Sequence, residues 1–197
     1  MFSAKGGFDV VIGNPPYVRQ EQLKDIKSKL KEKYDCFSGT ADLYVYFYER
    51  GIQLLKIGGA FSFITSHKWF RSAYGEKLRT WLNRNTQLER LIDFGDAPVF
   101  TAIAYPCIIV LIRSAARPVD AKPTESRFRA LTWNPDWNVE DITPVFSANS
   151  FAMPQASLQR DGWRLERGAK RRLLDRIAQT GLRLEKYASR RYYRGIL

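Results

Sequence analysis

The sequence predicts an α/β fold built on a mostly parallel sheet. Three observations predict it. Apolar runs and amphipathic helical stretches follow one another as strand, helix, strand, helix, strand, strand between residues 8 and 112. The strand runs are nearly continuous in apolar residues, as in strands covered on both faces. Of the 197 residues, 45% are apolar and 14% aromatic, which is enough to bury a core and excludes a disordered chain.

Each element has its own signal. The run FDVVI at 8–12 reads as a buried strand, stopped by Gly13-Asn14-Pro15-Pro16. Leu23, Ile26, Leu30 and Tyr34 recur at helical spacing and turn Lys24, Lys27, Lys29, Lys31 and Lys33 outward. Cys36 to Thr40 is a small polar loop. Asp42 is placed as the N-cap of a helix over 43–57, with Leu43, Phe47, Leu54 and Leu55 facing inward and Gly58-Gly59 ending it. AFSFIT at 60–65 is the next strand. A helix over 75–84 carries Leu78, Trp81 and Leu82 on one face. Strands follow over 88–94 and 105–112, the latter apolar throughout and therefore central. Residues 114–160 are rich in Pro, Ser, Asn and Ala and read as a connector packed around Trp133 and Trp137. Residues 161–180 read as a basic helix with Leu173, Leu174 and Ile177 as its apolar stripe, and Tyr187 to Leu197 as the opening of a strand.

Composition bounds the function. No apolar run approaches the roughly 20 residues of a membrane span, and the first residues carry no apolar signal-peptide core. The two cysteines, Cys36 and Cys107, form no disulfide framework and fit reduced thiols in a cytoplasmic protein. His67 is the only histidine. It has no Cys or carboxylate pair at ligand spacing, so no metal site is expected; a packing or capping role at the end of the second strand is. The net charge of +12 points to a polyanionic partner, most often nucleic acid. Residues 151–197 hold 12 basic and 4 acidic side chains, against 20 and 16 in residues 1–150. Arg164, Arg167, Lys170, Arg171 and Arg172 are therefore candidates for phosphate contacts, as Arg forks match phosphate oxygens. For the lysine helix, a solvated face and a phosphate-binding face both stand.

In open α/β sheets the chemistry sits beyond the carboxyl ends of the strands, which directs attention to Asn14-Pro15-Pro16-Tyr17. Asn14 precedes proline and is held extended. Two prolines then fix φ and remove two backbone donors. The loop offers acceptors, the Asn14 side-chain oxygen and the Pro15 carbonyl, beside the flat ring of Tyr17. That is a holder for a planar group bearing an NH2 (adenine, cytosine or a primary carboxamide), with a Pro-rich turn and a packed Tyr as the alternative.

With these residues in view, FDVVIGNPPYV at 8–18 resembles motif IV of amino-methyltransferases that use S-adenosylmethionine. Further segments resemble, in order, the γ-type adenine-N6 DNA methyltransferases of the TaqI-like and type IIG restriction-modification kind. They are ADLYVYFYE at 41–49, LLKIGG at 54–59, FITSHKW at 63–69, YGEKLR at 74–79, and DFGDAPVF at 93–100 followed by YPC at 105–107. Trp163, Leu173-Leu174-Asp175, Leu184 and Tyr192-Tyr193-Arg194-Gly195 resemble the lead into that family's target-recognition domain.

The resemblance implies the C-terminal half of a Rossmann-like class I methyltransferase fold over 1–113, then the connector at 114–160. A basic helix and the start of a specificity domain would occupy 161–197. It implies double-stranded DNA as substrate, flipped adenine as the methyl acceptor and S-adenosylmethionine as cofactor. Asn14 and the Pro15 carbonyl would accept hydrogen bonds from the adenine amino group, with Pro16 holding the loop. Tyr17 and Phe100 would stack on the base, and Asn14, Asp42 and Phe47 would border the cofactor. For Phe100 and Phe47 core packing, and for Asp42 helix capping, stand as alternatives. The family's Gly-rich cofactor loop precedes motif IV, and only seven residues precede Phe8 here, with Gly6-Gly7 a simple turn. The expected partner is therefore the remainder of a parent polypeptide, and the chain alone is expected to bind the cofactor poorly and not to methylate DNA. Two alternatives remain: a protein-glutamine or RNA methyltransferase using the same loop, and a non-catalytic DNA-binding fragment.

Overall fold

A computed structural model describes residues 6–101, 105–118, 125–182 and 187, without the side chains at 169, 171, 175 and 178. The chain forms two compact units, 1–165 and 166–197.

The first unit is organised by a six-stranded sheet: β1 (Phe8–Gly13), β2 (Leu55–Ser66), β3 (Thr86–Asp93), β4 (Pro106–Arg113), β5 (Arg127–Thr132) and β6 (Phe151–Pro154). Its order is β1-β2-β4-β3-β5-β6. β1 pairs parallel with β2 and β3 parallel with β5, while β4 is antiparallel to both β2 and β3, and β6 is antiparallel to β5. Four of the six strands thus point one way, and β4 lies inside the sheet. The carboxyl ends of β1, β2, β3 and β5 share one edge.

Three helices connect the first strands: α1 (Lys27–Lys33), α2 (Tyr44–Gln53) and α3 (Glu76–Asn85). The main core lies between α2, α3 and one face of the sheet. Cys107, Ile109 and Leu111 of β4 enter it alternately, as a pleated strand requires. The other face is covered at the β3–β5 end by α4 (Ile142–Asn149), through Ile92, Ile108, Leu131, Trp133 and Phe146.

Four expectations change. The segment 20–34 is not one helix: a 3-10 turn at Gln20–Ile26 precedes α1, and only Leu23 of this region is buried. α2 stops at Gln53, and the strand begins at Leu55 because Leu55 pairs with Phe8. Gly58-Gly59 is therefore no helix end; it belongs to an irregular bulge between the pairs Phe8↔Leu55 and Val10↔Ala60, with Gly58 at φ +83°. Residues 114–160 are more than a connector, since β5 and β6 extend the same sheet and α4 packs on it.

The second unit holds α5 (Gly168–Thr180), a helix that starts later than the sequence suggests. Leu184, 188–197 and the strand expected there lie outside the described residues. No described helix is long and apolar enough to cross a membrane.

Candidate active site

The loop Asn14–Tyr17 leaves β1 at the shared carboxyl edge of the sheet. Pro15 is buried and anchors the turn, while Asn14, Pro16 and Tyr17 are exposed. No described residue hydrogen-bonds the Asn14 side chain, so its amide is presented outward. The next segment is tied back at two points. The Leu43 amide donates to the Val18 carbonyl at 2.9 Å, and the Gln20 amide donates to Asp42 Oδ1 at 3.1 Å.

Asp42 therefore caps the chain after the loop and not α2, whose N-cap residue is Leu43. Its partial burial raises its carboxyl above the ordinary range, against the pull of the Gln20 amide. Phe47 is also displaced from its expected place. The buried surface of α2 is made by Tyr44, Val45, Tyr48 and Ile52, and Phe47 stands 40% exposed on the opposite side. The helix turns 100° per residue, and the tyrosines at 44 and 48 take the core stripe.

Tyr17 and Phe100, 83 positions apart, meet with ring centroids 6.3 Å apart and planes at 71°. Tyr44 approaches Tyr17 from α2 at 6.3 Å. Below them is a floor of buried side chains. Tyr48 Oη lies 2.7 Å from Thr65 Oγ1, and Thr65 Oγ1 lies 3.7 Å from Cys107 Sγ. Partial burial pushes the Tyr17 phenol up to about 12, with a smaller contribution from Cys107, and full burial pushes the Cys107 thiol up to about 12. Both stay protonated at neutral pH, so the floor and the Tyr17 ring carry no charge.

The same edge holds a cluster that sequence reasoning did not find. His67 follows β2 directly, and its Nδ1 lies 2.5 Å from Asp93 Oδ1 at the end of β3. The Gly95 amide donates to the same oxygen at 3.0 Å. Tyr105 stacks on His67 with planes 13° apart, and its carbonyl accepts from the His67 amide at 2.8 Å. Tyr105 holds this position at φ +48°, a left-handed conformation uncommon for a bulky residue. The segments 63–69 and 93–100 contain His67 and Asp93, but only the β2–β4–β3 register joins them.

Of the basic candidates, Arg164 is exposed in the first unit. Arg167, Lys170, Arg171 and Arg172 belong to the second, with Arg167 preceding α5 and the other three on it. Lys170 pairs with Glu166 at 2.9 Å, one turn away, and Arg172 is exposed. The Arg171 side chain lies outside the described residues. Among those residues no group of three His, Cys, Asp or Glu is placed to hold a metal ion.

Comparison with known proteins agrees with this architecture. The chain is 36% identical to the type II methyltransferase M.XhoI of Xanthomonas vasicola over 125 residues, 62% of this chain and 23% of that protein. It is 37% identical to the type II restriction enzyme and methyltransferase RM.Eco57I of Escherichia coli over 109 residues, 53% of this chain and 11% of that protein. It thus spans under a quarter of the length of these relatives. Among solved structures, the type IIG restriction endonuclease BpuSI superposes with TM-score 0.57 at 16% identity, covering 87% of this chain and 22% of that one. A putative class I S-adenosylmethionine-dependent methyltransferase of Listeria monocytogenes superposes with TM-score 0.52 at 21% identity, covering 73% and 42%. The fold is that of class I methyltransferases. Residues 1–100 match the family described as Eco57I restriction-modification methylase, and the chain belongs to that family.

Proposed function

We propose that this chain carries the target-base side of a site-specific DNA adenine-N6 methyltransferase of a restriction-modification system. The observation that carries the reading is the meeting of Tyr17 and Phe100 beside the outward-facing Asn14 amide, at the carboxyl edge of the sheet.

The adenine must leave the duplex stack to reach this edge. Tyr17 and Phe100 form the two walls that receive it. Their edge-on approach at 6.3 Å leaves no room for a third ring, so the walls part and turn as the base enters. The Asn14 side-chain oxygen and the Pro15 carbonyl accept the two amino hydrogens. This draws the nitrogen toward tetrahedral geometry and frees its lone pair. The buried Pro15 holds both acceptors in place before the base arrives, so the catalytic contribution is positioning and electrostatics. The neutral floor of Tyr48, Thr65 and Cys107 adds no competing charge.

S-adenosylmethionine, when bound, supplies an electrophilic methyl on its sulfonium. The residues expected at its border fit in part. Phe47 leaves an aromatic face uncovered on α2, whereas Asp42 already uses part of its acceptor capacity on the Gln20 amide through Oδ1. The substrate is duplex DNA, and the partner is the remainder of the methyltransferase polypeptide.

The test uses the polypeptide in which this chain is joined to its cofactor-binding elements, with methyl incorporation into duplex DNA as readout. Asn14→Ala lowers incorporation by about 10²-fold or more, the scale of losing one preorganised polar contact in an active site, and leaves DNA affinity within about twofold. Tyr17→Phe keeps most activity; Tyr17→Ala loses about tenfold, as stacking is worth roughly 1–3 kcal/mol. Near-normal methylation by Asn14→Ala refutes the role given to this loop. Incorporation into a glutamine-bearing protein or RNA in place of DNA refutes the substrate.

A further inference from the structure

On the same edge of the sheet lies an open cleft of about 410 Å³ lined by Lys31, Ser38, Gly39, Tyr74, Glu76 and Lys77. We propose that this cleft binds a backbone phosphodiester of the nucleic-acid strand next to the target base. The proposal rests on the nucleic-acid reading above and assigns that substrate a second point of attachment.

Four observations carry it. The first is position. The lining segments 31–39 and 73–77 follow β1 and β2 respectively, so both rise from the edge that holds Asn14 and Tyr17. A chain of rings joins the two places: Tyr17 contacts Tyr44, and Tyr44 Oη lies 2.7 Å from Tyr74 Oη, which lines the cleft. That path is on the order of 10 Å, a few nucleotides at about 3.4 Å of axis each.

The second is charge. Lys31 and Lys77 are exposed and form no ion pair or hydrogen bond with a described residue. The one carboxylate of the cleft, Glu76, is held by Arg160. An anion entering the cleft therefore meets two uncommitted ammonium groups and a carboxylate that is already neutralised.

The third is continuity. A second groove of about 420 Å³ shares Lys77 and Glu76 and adds Arg84, Asp35 and the Arg160 that pairs with Glu76. With that pair set aside, Lys77 and Arg84 outweigh Asp35, so the lining stays positive away from the candidate active site.

The fourth is preorganisation. Lys27 Nζ donates to the Gly39 carbonyl at 2.7 Å and to Gln20 Oε1 at 2.6 Å, and Tyr46 Oη donates to the Ser38 carbonyl at 3.1 Å. The floor of the cleft is fixed before any ligand arrives. The lysines of α1 therefore differ in role. Lys27 holds the loop, Lys31 faces the cleft, and Lys29 and Lys33 do neither. Point-charge lysines binding backbone phosphate give affinity and register without reading sequence.

The experiment is fluorescence anisotropy of a labelled 20-base-pair duplex with the 197-residue chain between about 50 and 200 mM salt. The variant K31Q/K77Q is compared with the charge-matched control K29Q/K33Q. Loss of two phosphate contacts lowers the slope of log affinity against log salt by about 1.8, with about a tenfold loss of affinity, while the control stays within about twofold. Lysine acetylation read by mass spectrometry probes the same point without substitution: duplex protects Lys31 and Lys77 several-fold and leaves Lys29 and Lys33 unchanged. If the unaltered chain binds DNA, but the two double variants share one slope and the four lysines react alike, the cleft is overturned and the DNA reading survives. If neither the unaltered chain nor the polypeptide in which it is joined to its cofactor-binding elements binds duplex, both fall.

Discussion

Cys36 and Cys107 are fully buried, and burial pushes both thiols up, Cys107 to about 12. Thiolate is the reactive form, so native chain has no fast-reacting thiol even at pH 8.5. Titration with a chromogenic disulfide reagent gives two thiols after unfolding and none within the same minutes before it; one rapid native thiol refutes this burial. The same scale separates what is legible at the site. Asn14, Pro15, Pro16 and Tyr17 announce themselves because their chemistry is local: prolines act on their own φ and on the residue before them. Phe100 can be named only by resemblance, since nothing within a few residues says that it will meet Tyr17. The His67–Asp93 pair has no local signal. Asp42 and Phe47 lie in the expected helix region, but their orientation differs, because Tyr44 and Tyr48 occupy the inward positions of α2.

At the scale of elements, close backbone approaches decide where side chains can exist. Gly75 opens α3, and a Cβ there would sit 2.0 Å from the Trp69 carbonyl oxygen, a backbone atom with no freedom to retreat. Gly75→Ala should lower stability by about 1–3 kcal/mol through overpacking, seen as a fall in Tm of about 2–4 °C per kcal/mol for a chain of this size. An unchanged Tm refutes the close approach. Element boundaries fail in the sequence where pairing overrides propensity. Leu54 to Ile57 continue a helical pattern, yet Leu55 is claimed by Phe8 across the sheet. β5 is unreadable for a related reason. Arg127 and Arg129 alternate with Phe128 and Ala130, but the strand is made by β3 on one side and β6 on the other, in a stretch whose composition suggests a loop.

At the scale of the whole molecule, the covering of the sheet is uneven. α2 and α3 cover one face, whereas α4 covers the other only toward β3 and β5. At the far end β1 pairs with β2 alone among the described strands, and Val10 and Ile12 are 60% and 79% exposed on its uncovered face. An exposed apolar edge strand promotes association. Ile12→Lys should raise the monomer fraction in concentrated solution, measured by light scattering, with stability unchanged within about 0.5 kcal/mol. A large drop in Tm would place Ile12 in the core and refute the uncovered face.

What the sequence determined by itself was the fold class, the strand–loop junction at Asn14–Tyr17 and the uneven charge, because each follows from residues near one another: periodicity, proline geometry and composition. The tertiary structure alone decided that residues 127–154 join the sheet, that Tyr17 meets Phe100, that His67 meets Asp93, and that Lys31 and Lys77 line one cleft. Those pairings depend on which strands become neighbours. That choice is made by burying the whole set of apolar faces at once, a condition no single stretch of the chain expresses.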